Sequence, residues 1–193
     1  MIRTPVTYIL LACLIAAFAG QSYLAEMTPA HPISDFGLEP SVFPDQPWRA
    51  VTSGFLHVDV THLIVNSASL WALGVSLERY IGSLRFFIVY AASLLAGSAA
   101  VWMLEDPGTF TVGASGAIFG LVGAGIVAHL RFGELPLYEL IVLFVGVGWA
   151  AYADAGISWQ AHAGGALAGL LLGALFLISL PETTESSETL ERR

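Results

Sequence analysis

The sequence predicts an all-α membrane protein, a single bundle of six transmembrane helices, and two observations support this. The chain of 193 residues is 56% hydrophobic and only 11% charged, with a mean hydropathy of +0.74. A water-soluble domain of this size would struggle to cover its surface with so few charged residues. Apolar runs close to the length that crosses a bilayer, about 20 residues, also recur along the chain.

The first apolar run covers residues 7–24 and follows Arg3. Such a run is typical of a signal peptide or of a first membrane helix. We interpret it as a helix, because it is long for the apolar part of a signal peptide and lacks a sharp small-x-small cleavage site. The single cysteine, Cys13, lies within it, so the chain has neither a disulfide framework nor a cysteine-based metal site.

Residues 26–53 are of a different kind, because prolines recur along them: Pro29, Pro32, Pro40, Pro44 and Pro47. Prolines at this density are incompatible with a regular helix, so we expect a long loop outside the core of the bundle. The segment contains Trp48-Arg49 near its end, and one interpretation of this pair is a generic anchor at the membrane interface.

Five further segments complete the six helices. Four of them are plainly apolar, namely residues 84–102, 116–130, 137–152 and 159–180. The fifth, residues 57–77, is apolar overall but carries His62, Asn66 and several serines. The last residues are rich in Glu, Ser and Thr and predict a short disordered tail. We therefore expect one membrane domain over residues 1–180 and a tail over residues 181–193.

The arginines predict the orientation, because short cytoplasmic loops retain positive charge. All seven basic residues are arginines, and with the N-terminus inside only Arg49 falls on the outer side. The outer loops instead carry Glu105, Asp106 and Asp154. An even number of spans then places both termini in the cytoplasm. The formal charge of -8 argues against nucleic-acid binding, which requires a basic face.

In this topology the second, fourth and sixth helices each carry an unusual polar residue near the outer end. His62 and Asn66 are four residues apart and so share one helix face, Ser115 starts the fourth helix, and His162 lies just inside the sixth. A nucleophilic serine needs a base within hydrogen-bond reach and donors for the oxyanion. His162 is the candidate base, and His62 and Asn66 are the candidate donors, although Asn66 could equally bond a neighbouring helix.

Small residues predict how these helices meet. Gly116 and Gly120 on the fourth helix, and Gly165 and Gly169 on the sixth, form two small-xxx-small patterns that allow close backbone approach. Helix packing alone is therefore a second interpretation of the tetrapeptide Gly113-Ala-Ser-Gly116. The alternative interpretation of the tetrapeptide, a nucleophilic Ser115, is supported by its place at the start of the fourth helix. Unpaired N–H groups and the positive end of the helix dipole there would stabilise an oxyanion.

The other polar residues have structural interpretations. Glu78 and Arg79 lie at the inner end of the second helix, where ion pairing or capping is expected. For His31, His57 and His129, which lie in loops or at helix ends, we expect solvated or interfacial positions. No metal site is expected, because the histidines lack the spacing of metal ligands.

The polar motifs resemble those of the rhomboid intramembrane serine proteases, in their compact six-helix prokaryotic form, over residues 48–173. The matching motifs are Trp48-Arg49, His62-Leu-Ile-Val-Asn66, Gly113-Ala-Ser115-Gly116 and His162-Ala-Gly-Gly165-Ala-Leu-Ala-Gly169. The resemblance implies a Ser-His dyad, with Ser115 as nucleophile and His162 as general base and then acid. It implies an oxyanion hole made by His62, Asn66 and the backbone N–H of Ser115.

The same resemblance implies supporting roles. Gly113 would keep the loop open to substrate, and Phe119 would pack on the ring of His162, at a position where some relatives carry tyrosine. Residues 26–53 look like the family's membrane-embedded loop. The fifth helix and the loop over residues 154–159 look like its mobile gate and cap.

The implied activity is that of a serine endopeptidase of the prokaryotic plasma membrane. It would cleave single-span transmembrane proteins within the lipid bilayer, from an active site open to the outside, without a metal or other cofactor. Two other classes stay open: a catalytically silent rhomboid-like protein that binds membrane clients, and a small-solute transporter. A transporter would be expected to have broken helices in paired halves, and the sequence shows no such symmetry.

Overall fold

The computed structural model describes residues 4–29, 31–149 and 157–178, and within these ranges it contains eight α-helices and no strand. The helices are α1 (Pro5–Met27), α2 (Pro32–Phe36), α3 (Arg49–Thr52), α4 (Val60–Ile81), α5 (Ser83–Leu104), α6 (Ser115–Arg131), α7 (Leu137–Leu143) and α8 (Trp159–Ile178). A 3-10 turn, Ser53–Phe55, follows α3, and a π-helical segment, Phe144–Trp149, continues α7. The expectations for Arg3, Asp154 and the tail lie outside the described residues.

Helix length separates the candidate spans into two groups. In the described ranges, α1, α4, α5 and α8 are long and apolar enough to cross a membrane, whereas α6 and the stretch Leu137–Gly148 are apolar but shorter. The 17 residues of α6 rise about 25 Å, which is less than the hydrocarbon core of about 30 Å. Length and composition thus support four of the six expected spans.

Glu78 joins the start of α1 to the end of α4. Its buried carboxylate accepts hydrogen bonds from the backbone N–H groups of Val6 at 3.0 Å and Thr7 at 2.8 Å, and from the Thr7 hydroxyl at 2.7 Å. The hydroxyl of Ser83 donates to it as well, at 2.6 Å. Because the first N–H groups of a helix lack helical acceptors, Glu78 has the structural capping role expected from its position.

Helix α6 lies in the core, with its residues buried from Gly116 to Ala124 and again at Ile126, and it packs most extensively against α8. A Cβ atom on Gly165 would collide with the carbonyl of Gly116, and one on Gly169 would collide with the carbonyl of Gly120. The backbones of the two helices are therefore in contact at these glycines, as the two small-xxx-small patterns predict.

The loop between α1 and α4 is held by Arg49. This side chain is 5% exposed and donates to the carbonyl oxygens of Ser34 at 2.8 Å and Gly37 at 2.6 Å, and to Gln46 Oε1 at 2.7 Å. The charge of Arg49 is therefore satisfied inside the loop, which gives this residue a structural role there. Its neighbour Trp48 is 52% exposed.

Two contacts fix this loop to the connection between α5 and α6. Leu38 and Thr111 form an antiparallel bridge, and Glu39 accepts a 3.2 Å hydrogen bond from the N–H of Gly108. The connection that leads into Ser115 is thus held by two contacts with this loop.

Candidate active site

The approach to Ser115 depends on an unusual backbone at Gly113. Its φ of +121° lies where only glycine is free of strain, and its N–H donates to the carbonyl of Ser53 at 2.9 Å. Helix α6 begins two residues later, and no side chain caps it at Ala114. The first N–H groups of α6 therefore have neither a capping side chain nor a helical acceptor. They lie next to Ser115, the half-buried first residue of the helix.

Helix α4 brings two potential donors to the same place. Asp59 caps the helix by accepting from the His62 N–H at 2.8 Å, and the buried Asn66 donates from Nδ2 to the His62 carbonyl at 3.0 Å. A Cβ atom placed on Gly113 would lie 2.9 Å from His62 Nε2 and 3.9 Å from Asn66 Nδ2. Both side-chain nitrogens thus converge beside the loop that enters α6.

Helix α8 contributes His162, which is 5% exposed. Its ring stacks on Phe119 of α6, with centroids 4.0 Å apart and planes 8° from parallel. Its Nδ1 lies 2.6 Å from the carbonyl oxygen of Gly146, in the π-helical segment. A carbonyl can only accept, so Nδ1 is the donor, and a neutral ring that makes this bond has its lone pair on Nε2.

A cavity of about 800 Å³ connects these groups. It is lined by Ser115, His162, His62 and Asn66, together with residues of α6, α7 and the connection that contains Glu105 and Asp106. All four residues expected at the reaction centre therefore face one space. Among the described residues, however, no hydrogen bond joins the Ser115 hydroxyl to His162.

His57 differs from its expected solvated position, because its side chain is fully buried. Its ring meets that of His62 edge-on, with centroids 5.0 Å apart. Gln21 of α1 holds its backbone through both the N–H and the carbonyl. Burial, and then the neighbouring His62, lower the pKa of His57 to about 4, so the ring is neutral near pH 7.

Comparison with known proteins identifies the family to which this arrangement belongs. The family model of the Rhomboid domain matches residues 44–179, which is more than half of the chain. The chain belongs to the rhomboid family. With its apolar helices, this membership makes it an integral membrane protein.

Individual rhomboid relatives match over a similar segment. YdcA of Bacillus subtilis is 36% identical over 132 residues, which are 66% of this chain and 66% of YdcA. The rhomboid protease GluP of the same organism is 32% identical over 132 residues, 66% of this chain and 25% of GluP. RHOMBOID-like protein 1 of Arabidopsis thaliana is 36% identical over 140 residues, 68% of this chain and 35% of that protein. The chain thus spans at most 66% of the length of these three relatives.

Two features of this rhomboid site were not found from the sequence. Gly146 contacts His162 through its backbone carbonyl, and a motif of side chains cannot indicate such a contact. The one sequence signal for an irregular helix at this point is the pair of glycines, Gly146 and Gly148, inside an apolar segment. A position in a loop or at a helix end predicts a solvated or interfacial role for His57, whereas the residue is buried and its backbone bonds Gln21 of α1, which is distant in sequence.

Proposed function

We propose that the chain is an intramembrane serine endopeptidase, with Ser115 as nucleophile and His162 as general base. The observation that carries the proposal is the 2.6 Å hydrogen bond between His162 Nδ1 and the carbonyl of Gly146. Because Nδ1 holds the proton, Nε2 is free to accept one, which is the state that a general base for serine requires. Both residues line the same cavity.

The dyad accounts for acylation. Ser115 Oγ forms a bond to the scissile carbonyl carbon while its proton passes to Nε2 of His162. The carbonyl oxygen becomes an oxyanion, to which His62, Asn66 and the backbone N–H of Ser115 donate. The scissile C–N bond then breaks as His162 returns the proton to the amine nitrogen of the leaving chain. Ser115 is left as an ester of the remaining segment.

Water completes the cycle. It attacks the ester carbon and gives a proton to His162, and Ser115 Oγ leaves and recovers that proton. Hydrolysis therefore needs a polar cavity, since water is excluded from the hydrocarbon core. We place this cavity at the outer side of a plasma membrane, in a six-span domain over residues 1–180 whose two termini are cytoplasmic.

The substrates in this proposal are single-span transmembrane proteins. A helical segment hides its carbonyl groups in hydrogen bonds, so a substrate must unwind locally before Ser115 can reach a carbonyl carbon. The proposed substrates therefore have a segment that unwinds easily near its outer end, with small residues at the cleavage point. No metal ion or nucleotide takes part in the steps above.

Labelling with a fluorescent fluorophosphonate, which reacts with activated serines, tests the dyad in the detergent-purified full-length protein. The parent should be labelled, and Ser115→Ala and His162→Ala should not. Ser76→Ala is the matched control, since Ser76 is an exposed residue of α4 that is absent from the cavity lining. Labelling that survives in Ser115→Ala would refute the assignment of the nucleophile.

Cleavage of a labelled single-span substrate tests the oxyanion hole. Asn66→Ala should lower kcat by about 10²- to 10³-fold, the usual cost of one oxyanion donor. KM should change little, because the donor acts on charge that forms only in the transition state. An unchanged kcat would remove Asn66 from the mechanism.

A catalytically silent protein that binds membrane clients is the second candidate. It is favoured by one observation, the missing hydrogen bond between Ser115 and His162. A single-span protein that co-purifies with the chain and is never cut, together with no fluorophosphonate labelling of the folded parent, would support this candidate against the protease.

A further inference from the structure

The carbonyl of Gly146 lies in an irregular part of the helix that follows α6. Helix α7 ends at Leu143, and residues Phe144–Trp149 form a π-helical segment. Such segments widen the backbone turn and occur frequently at functional sites. Here the wider turn coincides with a backbone carbonyl that accepts from a side chain on α8, 16 residues further along the chain.

Phe119 explains why this position is a glycine. A Cβ atom on Gly146 would collide with the Phe119 ring, approaching Cε1 to 2.6 Å and Cε2 to 3.0 Å. The same ring stacks on His162. One aromatic ring of α6 therefore contacts both partners of the hydrogen bond, and the three groups can meet only if residue 146 has no side chain.

We infer that the Gly146 carbonyl is a positioning group for His162, which fixes its proton on Nδ1 and ties the base to the segment after α7. The inference deepens the proposed function, because it assigns a partner to the proposed general base. In Ser-His-Asp enzymes a carboxylate fills this role and stabilises the imidazolium ion. A carbonyl is a weaker partner, but it is neutral and costs less to bury in an apolar bundle.

This arrangement makes the state of the base depend on the position of the segment after α7. A hydrogen bond of 2.6 Å is lost once donor and acceptor separate beyond about 3.5 Å. A shift of about 1 Å in the Phe144–Trp149 segment is therefore enough to release Nδ1. The base then has the correct tautomer only while this segment is packed against α6 and α8.

Nitrogen-15 NMR of histidine-labelled full-length protein in nanodiscs reads the tautomer directly, with the His162 signals assigned from their loss in His162→Ala. In the parent, Nδ1 should show the shift of a protonated nitrogen and Nε2 that of an unprotonated one. An unprotonated Nδ1 in the parent at neutral pH would overturn the inference, whatever any variant does.

The variant Gly146→Ala should mix the two tautomers, because its methyl group displaces the segment from Phe119. Its kcat should fall between about tenfold and the 10⁴-fold that a wrong tautomer costs Ser-His-Asp enzymes, with little change in KM. Gly148→Ala is the matched control in the same segment, since its Cβ would meet only the Phe144 side chain at 3.5 Å. It should keep the tautomer and the parent's kcat.

The outcomes separate this inference from the proposed function. A parent with protonated Nδ1 that no fluorophosphonate labels would refute the protease and leave the positioning contact standing. A fall in kcat in Gly146→Ala with an unchanged His162 spectrum would refute the positioning role. The parent spectrum decides the tautomer even if Gly146→Ala does not fold.

Discussion

Gly113 combines two constraints that are separable by mutation. Its φ of +121° strains the backbone of any residue with a Cβ atom, at a cost of about 1–3 kcal/mol. A Cβ there would also lie 2.7 Å from His62 Cε1. We expect Gly113→Ala to push His62 away from the cavity and to lower kcat by about 10²-fold or more, the cost of one oxyanion donor.

Gly108→Ala is the matched control for the prediction at Gly113. Gly108 also has a positive φ, of +86°, but nothing lies within 4 Å of its Cβ position. Gly108→Ala should therefore be less thermally stable than the parent, because of backbone strain, but should keep the parent's kcat. Equal kcat values for the two variants, measured with the same single-span substrate, would show that contact with His62 does not matter.

His57 predicts a pH dependence of stability. Its pKa of about 4 in the folded protein is below the ordinary value of 6.5, so the unfolded chain binds more protons between these pH values. The contribution of the neutral ring to stability is therefore complete above pH 6.5 and is lost as the pH falls towards 4. Burial is the main cause of this shift, followed by the neighbouring His62.

The measurement compares thermal unfolding of the parent and of His57→Leu in detergent. The difference at pH 7.5 gives the cost of the altered packing. Between pH 6.5 and 4 the unfolding temperature of the parent should fall more steeply than that of His57→Leu, because leucine has no proton to gain. Parallel curves over this interval would mean that His57 is hydrated in the folded protein.

At the scale of the helix, contact between α6 and α8 sets the distance between Ser115 and His162. Gly165→Ala would place a methyl group on the carbonyl of Gly116, and overpacking of this kind costs about 1–3 kcal/mol. We expect a lower resistance to unfolding in detergent together with reduced fluorophosphonate labelling. Both effects have one cause, since the helices cannot approach as closely.

Gly20→Ala is the control for Gly165→Ala. Gly20 lies within α1 and has nothing within 4 Å of its Cβ position. Alanine is favoured over glycine in a helix interior by about 0.5–1 kcal/mol, so this variant should be as stable as the parent or more so. If Gly165→Ala behaves like Gly20→Ala, close packing of α6 on α8 is not required.

Long apolar helices were predictable from the sequence because hydropathy and length determine them. The expected helix over residues 84–102 lies inside α5, Ser83–Leu104, and the one over residues 116–130 differs from α6 by one residue at each end. The stretch over residues 137–152, of which the structure describes residues 137–149, was less predictable. Hydropathy indicates an apolar helix there but not the change from α7 to a π-helical segment at Phe144.

The candidate site was predictable where it is made of side chains with a fixed spacing. His62 and Asn66 were placed on one face by their separation of four residues, and Ser115 and His162 by the helices that carry them. The burial of His57 and the carbonyl of Gly146 were not predictable, because both arise where segments distant in sequence meet. The C-terminal end of α4 was only partly predictable: a structural role was expected for Glu78, but its contact with Thr7 was not.

At the scale of the whole molecule, the proposed mechanism requires all three site helices to run in the same direction. The arginines predict this, but α6 and the stretch Leu137–Gly148 are shorter than the other candidate spans. Two short helices can still cross if the loops beside them enter the membrane region. In the connection before α6, residues 106–110 are exposed, whereas residues 111–113 are half-buried and Ala114 is fully buried. Its end next to α6 is therefore the part that meets this condition.

Cysteine accessibility tests the crossing of both short helices in one experiment. The only cysteine is Cys13, so Cys13→Ser provides a background without thiols. Single cysteines are then placed at exposed positions before α6 (Asp106→Cys), between α6 and α7 (Leu135→Cys) and before α8 (Ile157→Cys). A membrane-impermeant maleimide applied to intact bacterial cells should label the first and the third, and should label Leu135→Cys only after the cells are permeabilised.

This pattern follows from charge as well as from topology. The loop at Asp106 is acidic, whereas Arg131 lies at the end of α6, and positive charge is retained on the cytoplasmic side. Labelling of Leu135→Cys in intact cells would mean that α6 does not cross. Ser115 and His162 could then not open to the outside at one depth, and the six-span arrangement on which the proposed protease depends would be wrong.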